Sequence, residues 1–217
     1  MSHLLSEFPQ HYGENKYDFN VGNLEKILSV SKCALEHHSR VLAFRVDLHF
    51  PKDPHFKMLL ALKTEYSARV IKAFFKEFHW LISRDEDERR DTGKRVHSTD
   101  IRYVWAREQT CETPSPHYHM MILLNRDAYY KLGSFDSEKL NLANKIRMAW
   151  YRAVYDDVVT LQFCKSGLVH FPENAEYHVN KNDVESLKEM LKRVAYLAKN
   201  ETKRRGEGYR CFGGSNN

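Results

Sequence analysis

Cysteine is scarce in this sequence, and the few cysteines lie far apart. The chain of 217 residues contains four of them, Cys33, Cys111, Cys164 and Cys211, and no two form a Cys-x-x-Cys pair. This spacing argues against a zinc knuckle and against a disulfide framework. We therefore expect the thiols to be reduced.

Long apolar runs are absent as well. The longest apolar segments have the length of a β-strand and are interrupted by charged residues, which excludes a transmembrane helix. The N-terminal residues include Glu7, Glu14, Lys16 and Asp18, so they lack the uninterrupted apolar core of a signal peptide. These absences predict a cytoplasmic protein without a membrane partner.

Strong net charge is also lacking, because the formal charge is only +5. A bias of this size does not by itself indicate a nucleic acid as partner. Most of the excess lies in residues 181–217, which hold nine Lys or Arg and five Asp or Glu. There Lys192, Lys203, Arg204 and Arg205 are candidates for contacts to DNA phosphates, which would weaken as salt rises. A solvated basic surface is the alternative interpretation.

What the sequence does contain is an alternation of helical and strand patterns. The predicted helices span 22–36, 57–82, 136–155 and a segment from an Asn182 or Asp183 cap to about 203, and the predicted strands span 40–50, 100–109, 117–124, 167–171 and 176–179. The charged segment 84–95 is expected to be a solvated loop. The pattern predicts an α+β fold in which helices flank a central antiparallel sheet of about five strands. We expect an N-terminal arm and short helix at 1–37, a domain at 38–205 and a basic, glycine-containing tail at 206–217.

The most informative segment is Pro116-His117-Tyr118-His119, at the head of an apolar strand that ends near Leu124. Side chains alternate across a strand, so His117 and His119 share a face, about 7 Å apart, and can hold one metal ion between them. The alternative is that both are hydrogen-bonded core histidines, since this strand pattern is apolar on both faces. The segment alone does not decide between the two interpretations.

A third ligand is predicted at Glu108, nine residues before His117. The residues between them are rich in Thr, Pro and Ser, which predicts an antiparallel hairpin with a loose loop. The end of one hairpin strand lies beside the start of the next, so Glu108 is expected near both histidines. His170 and His178 could also approach the site, but isolated histidines near strand ends are more often structural.

The first predicted strand carries a polar face. Its apolar residues alternate from Leu42 to Phe50, whereas Arg45, Asp47 and His49 share the other face. These three side chains are expected either to contact DNA or to support the metal ligands from behind. An exposed strand end would also explain them.

The last predicted helix places a tyrosine on a basic surface. Its apolar stripe runs from Val184 to Ala198, and Tyr196 lies roughly 100° from the nearer edge of the stripe. Four lysines share this side of the helix: Lys188, Lys192, Lys199 and Lys203. Either the tyrosine is simply exposed, or it is a nucleophile whose phenolate and phosphate target are stabilised by positive charge.

The order of these parts resembles the rolling-circle replication initiators of the HUH (His-hydrophobic-His) endonuclease class. The three motifs are Arg45-Val46-Asp47-Leu48-His49-Phe50-Pro51, then Pro116-His117-Tyr118-His119, then Tyr196-Leu197-Ala198-Lys199. More narrowly, the first motif and the closing Arg210-Cys211-Phe212-Gly213-Gly214-Ser215 resemble the YagK/YfjJ prophage proteins related to the filamentous-phage (inovirus) replication protein. The resemblance covers residues 38–215 and implies the ferredoxin-like, palm-like topology of an HUH endonuclease.

The resemblance also implies a mechanism. Glu108, His117 and His119 would bind Mg²⁺ or Mn²⁺, although these ligand types alone would accept Zn²⁺ too. Tyr196 would attack a phosphate of single-stranded DNA at a replication origin, or at a hairpin there, and leave a 5′-phosphotyrosine and a free 3′ hydroxyl. Lys199 would orient or stabilise the phosphate or the leaving group. The implied partners are a replication helicase and a polymerase of the bacterial host. The implied location is the cytoplasm of that host, where the protein is encoded by a phage or prophage.

The sequence departs from several phage initiators in one respect. The second tyrosine that they carry three or four residues after the first is replaced here by Lys199 and Asn200, which predicts a nickase with a single tyrosine. Two functions of other classes stay open at this point. One is a DNA-binding prophage regulator without catalytic activity, and the other is a metal-dependent phosphohydrolase that uses water as nucleophile.

Overall fold

The computed structural model of this chain describes most of the sequence. The described residues are 18–54, 56, 58, 66–109, 115–157, 160–162, 164, 167–200, 203 and 210–216, and every structural statement below concerns them. The helices with defined bounds are α1 Val21–His37, α2 Tyr66–Asp91, α3 Leu142–Tyr155 and α4 Val184–Ala195. The strands are β1 Arg40–His49, β2 Arg102–Glu108, β3 His117–Asn125, β4 Val169–His170, β5 Glu176–Asn180 and β6 Phe212–Gly214.

The six strands form one antiparallel sheet with β1, β3 and β2 at its centre. The strand order is β4-β1-β3-β2-β6, and β5 pairs with β1 on the same side as β4. The predicted α+β class with a central antiparallel sheet is confirmed, with six strands in place of about five. Among the described residues, no helix is both long and apolar enough to cross a membrane.

The alternation of side chains in the central strands divides the core into two layers. Even-numbered residues of β1 and β3, such as Phe44 and Ile122, pack with α2 and α3 around Trp150. Odd-numbered residues such as Ala43 and Met121 pack with α1 and α4. Strand β3 is therefore buried on both faces, as its continuous apolar run predicts. The residues His117 and His119 belong to the α1/α4 side of the sheet.

The charged segment predicted as a loop is helical, and this prediction is wrong. Helix α2 continues to Asp91 before the chain turns. Its last turns carry three ion pairs between residues three or four apart, at 3.2, 2.7 and 2.6 Å: Arg84–Glu88, Arg89–Asp85 and Arg90–Asp87. Opposite charges at this spacing stabilise a helix, so the even mixture of acids and bases indicated an exposed helix and not a loop.

The last helix ends earlier than predicted. Helix α4 begins at the predicted Asp183 cap and stops at Ala195, and one 3₁₀ turn follows at Tyr196–Ala198. The backbone then pairs with the start of the described chain, where Phe19 and Lys199 form an isolated antiparallel β-bridge. The Asn20 N–H also donates a hydrogen bond to the Ala198 carbonyl at 2.8 Å. This pairing takes the backbone out of the helix before Lys203.

Part of the predicted C-terminal tail is a strand of the sheet. Strand β6 pairs with β2, and Gly213 lies opposite Trp105. A Cβ atom on Gly213 would lie 2.5 Å from the Trp105 ring, which is well inside van der Waals contact. Gly213 thus permits the close approach of the closing segment to β2.

Substitution of Gly213 by alanine is expected to lower the free energy of unfolding by about 1–3 kcal/mol, because the methyl group overpacks against Trp105. Chemical denaturation of the full chain measures this change. Gly22→Ala is the matched control, because a Cβ there meets its nearest atom at 3.5 Å in the first turn of α1, where alanine is the better helix former. Equal stability of Gly213→Ala and the unmodified chain would contradict the packing argument.

Candidate active site

Three potential metal ligands lie where β2 ends and β3 begins, at the loop end of this strand pair. Glu108 lies opposite His117 in the strand register, and Ala106 lies opposite His119. One ligand atom from each of Glu108, His117 and His119 lies within 4.8 Å of the other two, and His119 Nε2 is 3.6 Å from Glu108 Oε2. The structure thus brings Glu108 to both histidines, as the hairpin pattern predicts.

The environment of these groups suits metal binding. Glu108 is only 7% exposed. Burial lowers the pKa of His117 to about 4, and positive charge on His119 or His49 acts in the same direction. His117 is therefore neutral near pH 7 and has a lone pair to offer a cation. Two imidazole nitrogens and one carboxylate oxygen could hold a divalent cation and leave coordination positions open.

Asp47 and Arg45 support His119 from behind. Asp47 Oδ1 lies 2.6 Å from His119 Nδ1 and 3.0 Å from an Arg45 nitrogen. Burial alone would raise the pKa of the Asp47 carboxyl, but the hydrogen bond and charge of His119, together with Arg45, hold this pKa well below its usual range. An ionised carboxylate only accepts hydrogen bonds, so Nδ1 of His119 carries the proton and Nε2 is free to face Glu108.

This placement corrects the prediction that Arg45 and Asp47 are DNA-contacting residues. Their exposed fractions are 5% and 9%, so neither presents a surface to a phosphate backbone. Of the two roles proposed for this strand face, the structure favours support of the metal ligands for both. The sequence alternation placed them on the correct face but could not distinguish an exposed strand end from a buried one.

The remaining histidines near the site fall outside the three-ligand group. His49 is partly buried, and its ring stacks on His117 with centroids 5.4 Å apart. His170 is exposed, with Nδ1 3.7 Å from Asp47 Oδ2. His178 lies 2.9 Å from the Tyr130 carbonyl. In the part of the chain that the structure describes, none of the three joins Glu108, His117 and His119 as a potential ligand.

Replacement of Asp47 by asparagine is expected to weaken Mn²⁺ binding by about 10–100-fold, the range found when groups that orient metal-ligating histidines are removed. The amide keeps the shape of the side chain but loses the charge that fixes the His119 tautomer. Isothermal titration of the full chain measures the affinity. Asp127→Asn is the control, because Asp127 pairs with Arg40 at 2.8 Å outside the site. Unchanged Mn²⁺ affinity in Asp47→Asn would show that Asp47 does not orient His119 for metal binding.

Tyr196, the tyrosine of the third motif, lies on a turn on the same side of the sheet as the three potential ligands. Tyr196 opens the 3₁₀ turn after α4 and is 45% exposed. The two residues after it, Leu197 and Ala198, are buried in the core that also contains Ala106 of β2. This core anchors the turn on the sheet face that carries the potential ligands, while the tyrosine ring itself stays accessible.

Lys199 holds the tyrosine ring. Its ammonium nitrogen lies 3.6 Å from the centroid of the Tyr196 ring, a cation–π contact, and the residue as a whole is only 5% exposed. The predicted basic surroundings of the tyrosine therefore include one lysine packed directly on the ring. Lys192, on the preceding turn of α4, is exposed and available to solvent-borne anions.

Lys203 does not lie on the surface where a phosphate contact was predicted. Its side chain is 1% exposed, and its ammonium lies 3.9 Å from Glu108 Oε1. It also donates a hydrogen bond to the Lys199 carbonyl. The predicted contacts of Arg204 and Arg205 lie outside the described residues.

The sequence pattern did not identify two supports of the site. One is Lys203 beside Glu108, and the other is the short segment at residues 18–20 that pairs with the chain after the tyrosine turn. In that segment the Asp18 carbonyl accepts from the Asn200 N–H, and its carboxylate accepts from the Asn200 side chain, both at 2.8 Å. Neither support has a local sequence signal, because each depends on contacts between residues about 95 or more apart.

Comparison with known proteins gives a consistent set of relatives. The profile of the YagK/YfjJ C-terminal domain matches residues 8–215. The uncharacterized protein YagK of Escherichia coli (strain K12) is 34% identical over 182 residues, which cover 81% of this chain and 83% of that protein. The uncharacterized protein YfjJ of the same strain is 32% identical over 196 residues, covering 87% and 91%. No solved structure matches the chain.

Proposed function

The chain belongs to the YagK/YfjJ C-terminal domain family, and we propose that it is a rolling-circle replication initiator of the HUH endonuclease type. It nicks and rejoins single-stranded DNA through a 5′-phosphotyrosine on Tyr196. One observation carries the proposal: an exposed tyrosine, on a turn anchored in the core, and a three-ligand group lie on the same side of one sheet. A nucleophile beside a metal centre is what phosphoryl transfer requires.

The donor set fits a divalent cation. Glu108, His117 and His119 would hold it, and its coordination by one carboxylate and two imidazoles suits Mn²⁺ and is compatible with Mg²⁺. When bound, the cation supplies Lewis acidity toward a non-bridging phosphate oxygen. The other parts of the reaction belong to side chains of this protein.

Tyr196 supplies the nucleophile. Its hydroxyl oxygen attacks the phosphorus and loses its proton to solvent, a new bond joins phosphorus to the tyrosine oxygen, and the bond from phosphorus to the 3′ oxygen breaks. The released 3′ oxygen takes up a proton and becomes the 3′ hydroxyl that primes synthesis. Because one phosphodiester replaces another, attack by a 3′ hydroxyl on the phosphotyrosine rejoins the strand.

Lys199 and Lys192 assist the attack. The Lys199 ammonium rests on the tyrosine ring, so it restricts the ring and stabilises negative charge that develops on the phenol oxygen. Lys192 is exposed on the same segment and provides a contact for the DNA backbone. Asp47 and Arg45 keep His119 in the tautomer that binds the cation.

The biological setting follows from the proposed reaction. The substrate is single-stranded DNA at a replication origin, or a hairpin that exposes one, in the cytoplasm of a bacterium that carries the phage or prophage. A host helicase and polymerase would extend the 3′ hydroxyl. Lys199 and Asn200 occupy the positions three and four residues after Tyr196, where a second tyrosine would stand. Termination therefore requires a second encounter or a second subunit.

Incubation of the full chain with a pool of single-stranded oligonucleotides and Mn²⁺, followed by a denaturing gel, tests the proposal. We expect a protein band shifted by covalently attached DNA and a shorter free strand, and both should disappear with EDTA. Cleavage without attachment would favour the phosphohydrolase that uses water. Binding without cleavage would favour a DNA-binding regulator, and either result would overturn the proposal.

A further inference from the structure

Lys203 lies between the third potential metal ligand and the tyrosine turn. Its ammonium donates to the carbonyl of Lys199, the residue that packs on the Tyr196 ring. The same ammonium lies 3.9 Å from Glu108 Oε1, and the side chain is 1% exposed. One buried cation therefore contacts both parts of the candidate active site.

The two oxygens of Glu108 face different partners. Oε2 points to His119 Nε2 at 3.6 Å, and Oε1 points to Lys203. A carboxylate that is free to rotate could offer a cation either oxygen or both. With Oε1 held by an ammonium, Oε2 is the oxygen directed toward His119.

We propose that Lys203 is a positioning residue that fixes Glu108 as a one-oxygen ligand and holds the tyrosine turn in register with it. This inference rests on the proposed function and adds to it the residue that aligns nucleophile and metal ligand. It also replaces the predicted role of Lys203 as a phosphate contact, because its buried ammonium is directed into the protein.

The proposed role has an electrostatic cost that can be measured. A positive charge beside a ligand carboxylate repels a divalent cation, and it does so strongly in a dehydrated site. Loss of Lys203 should therefore tighten metal binding, since it removes the repulsion and frees Oε1. The same loss should slow strand transfer, because the Lys199 carbonyl and Glu108 lose the group that joins them. A folding defect would weaken both properties together.

Lys203→Met tests this assignment in the full chain. We expect the Kd for Mn²⁺ to fall by about tenfold in isothermal titration, and the rate of DNA attachment at saturating Mn²⁺ to fall by at least about tenfold. The affinity for oligonucleotide and its salt dependence should stay within about twofold of those of the unmodified chain, because a buried ammonium neutralises no phosphate.

Two variants serve as controls. Lys203→Arg keeps the charge, so its Kd for Mn²⁺ should stay close to that of the unmodified chain. Lys145→Met removes another buried lysine, which is 3% exposed and pairs with Asp85 at 3.1 Å between α2 and α3. Lys145→Met should lower the free energy of unfolding without tightening Mn²⁺ binding. This control separates the effect of Lys203 on the nearby ligands from the general effect of losing a buried charge.

Unchanged or weaker Mn²⁺ binding in Lys203→Met would overturn the proposal. Weaker DNA binding with a salt slope reduced by about one would instead restore Lys203 as a phosphate contact. If circular dichroism shows that Lys203→Met does not fold, Lys203→Gln is titrated against the same two criteria. If the unmodified chain never attaches to DNA, the proposed function fails, whereas the Mn²⁺ titration still decides the role of Lys203.

Discussion

Replacement of Tyr196 by phenylalanine is expected to abolish covalent attachment to single-stranded DNA, with a loss of at least about 1,000-fold in adduct formation. The substitution removes one hydroxyl group and leaves the ring on which Lys199 packs. Because Leu197 and Ala198 anchor the turn in the core, the fold should not change. Mn²⁺ affinity and oligonucleotide affinity should stay within about twofold of the unmodified chain, since neither uses the hydroxyl as a ligand.

Tyr130→Phe is the matched control for this experiment. Tyr130 is 65% exposed and packs beside His178, outside the three-ligand group, so its hydroxyl should be dispensable. Adduct formation is followed with end-labelled oligonucleotides on denaturing gels in the presence of Mn²⁺. Persistent attachment in Tyr196→Phe would assign the nucleophile to another residue. Cleavage that persists in this variant without attachment would indicate water as the nucleophile.

Removal of a metal ligand is expected to have the second large effect, this time on cation binding. His119→Ala deletes the imidazole that Asp47 orients and that faces Glu108, and it should weaken Mn²⁺ binding by more than about 100-fold, beyond the loss expected for the supporting residue. A cation at 100 times its Kd stabilises the folded state by about 2.7 kcal/mol. The unmodified chain should show this stabilisation in thermal unfolding with Mn²⁺, and His119→Ala should not.

His178→Ala controls for the loss of a histidine as such. His178 lies on β5 and contacts the Tyr130 carbonyl, so its removal should leave Mn²⁺ binding unchanged. Glu108→Gln should lose the Mn²⁺ stabilisation as His119→Ala does, because it removes the carboxylate charge that a divalent cation requires. Full Mn²⁺ stabilisation in both Glu108→Gln and His119→Ala would move the cation site away from the β2–β3 hairpin.

The features that local periodicity encodes were predictable from the sequence. Alternation in β1 placed Arg45, Asp47 and His49 on one face, and alternation in β3 placed His117 with His119. The turn composition between β2 and β3 predicted a hairpin that places Glu108 beside these histidines, and the structure has it there. Each of these inferences needs only the period of a strand and the geometry of a hairpin.

The features that depend on distant parts of the chain were not predictable. Lys203 reads as one of several solvated basic residues, yet it is buried against Glu108 because the chain leaves the helix after Ala195. That exit depends on pairing with Phe19 and Asn20, which lie about 180 residues earlier. Charge composition alone indicates solvent exposure, so it misassigned Lys203.

Mapping the covalent bond between protein and DNA decides whether Tyr196 is the nucleophile. The chain is incubated with Mn²⁺ and an oligonucleotide labelled at either end, the protein is digested with trypsin, and the adduct peptide is sequenced by mass spectrometry. We expect the 3′-labelled portion to stay attached by its 5′ phosphate to the peptide Val194-Ala195-Tyr196-Leu197-Ala198-Lys199. The 5′-labelled portion should be released with a 3′ hydroxyl. The assignment of Tyr196 as nucleophile would be wrong if the DNA were attached to another residue or through a 3′ phosphate. It would also be wrong if both portions were released free of protein.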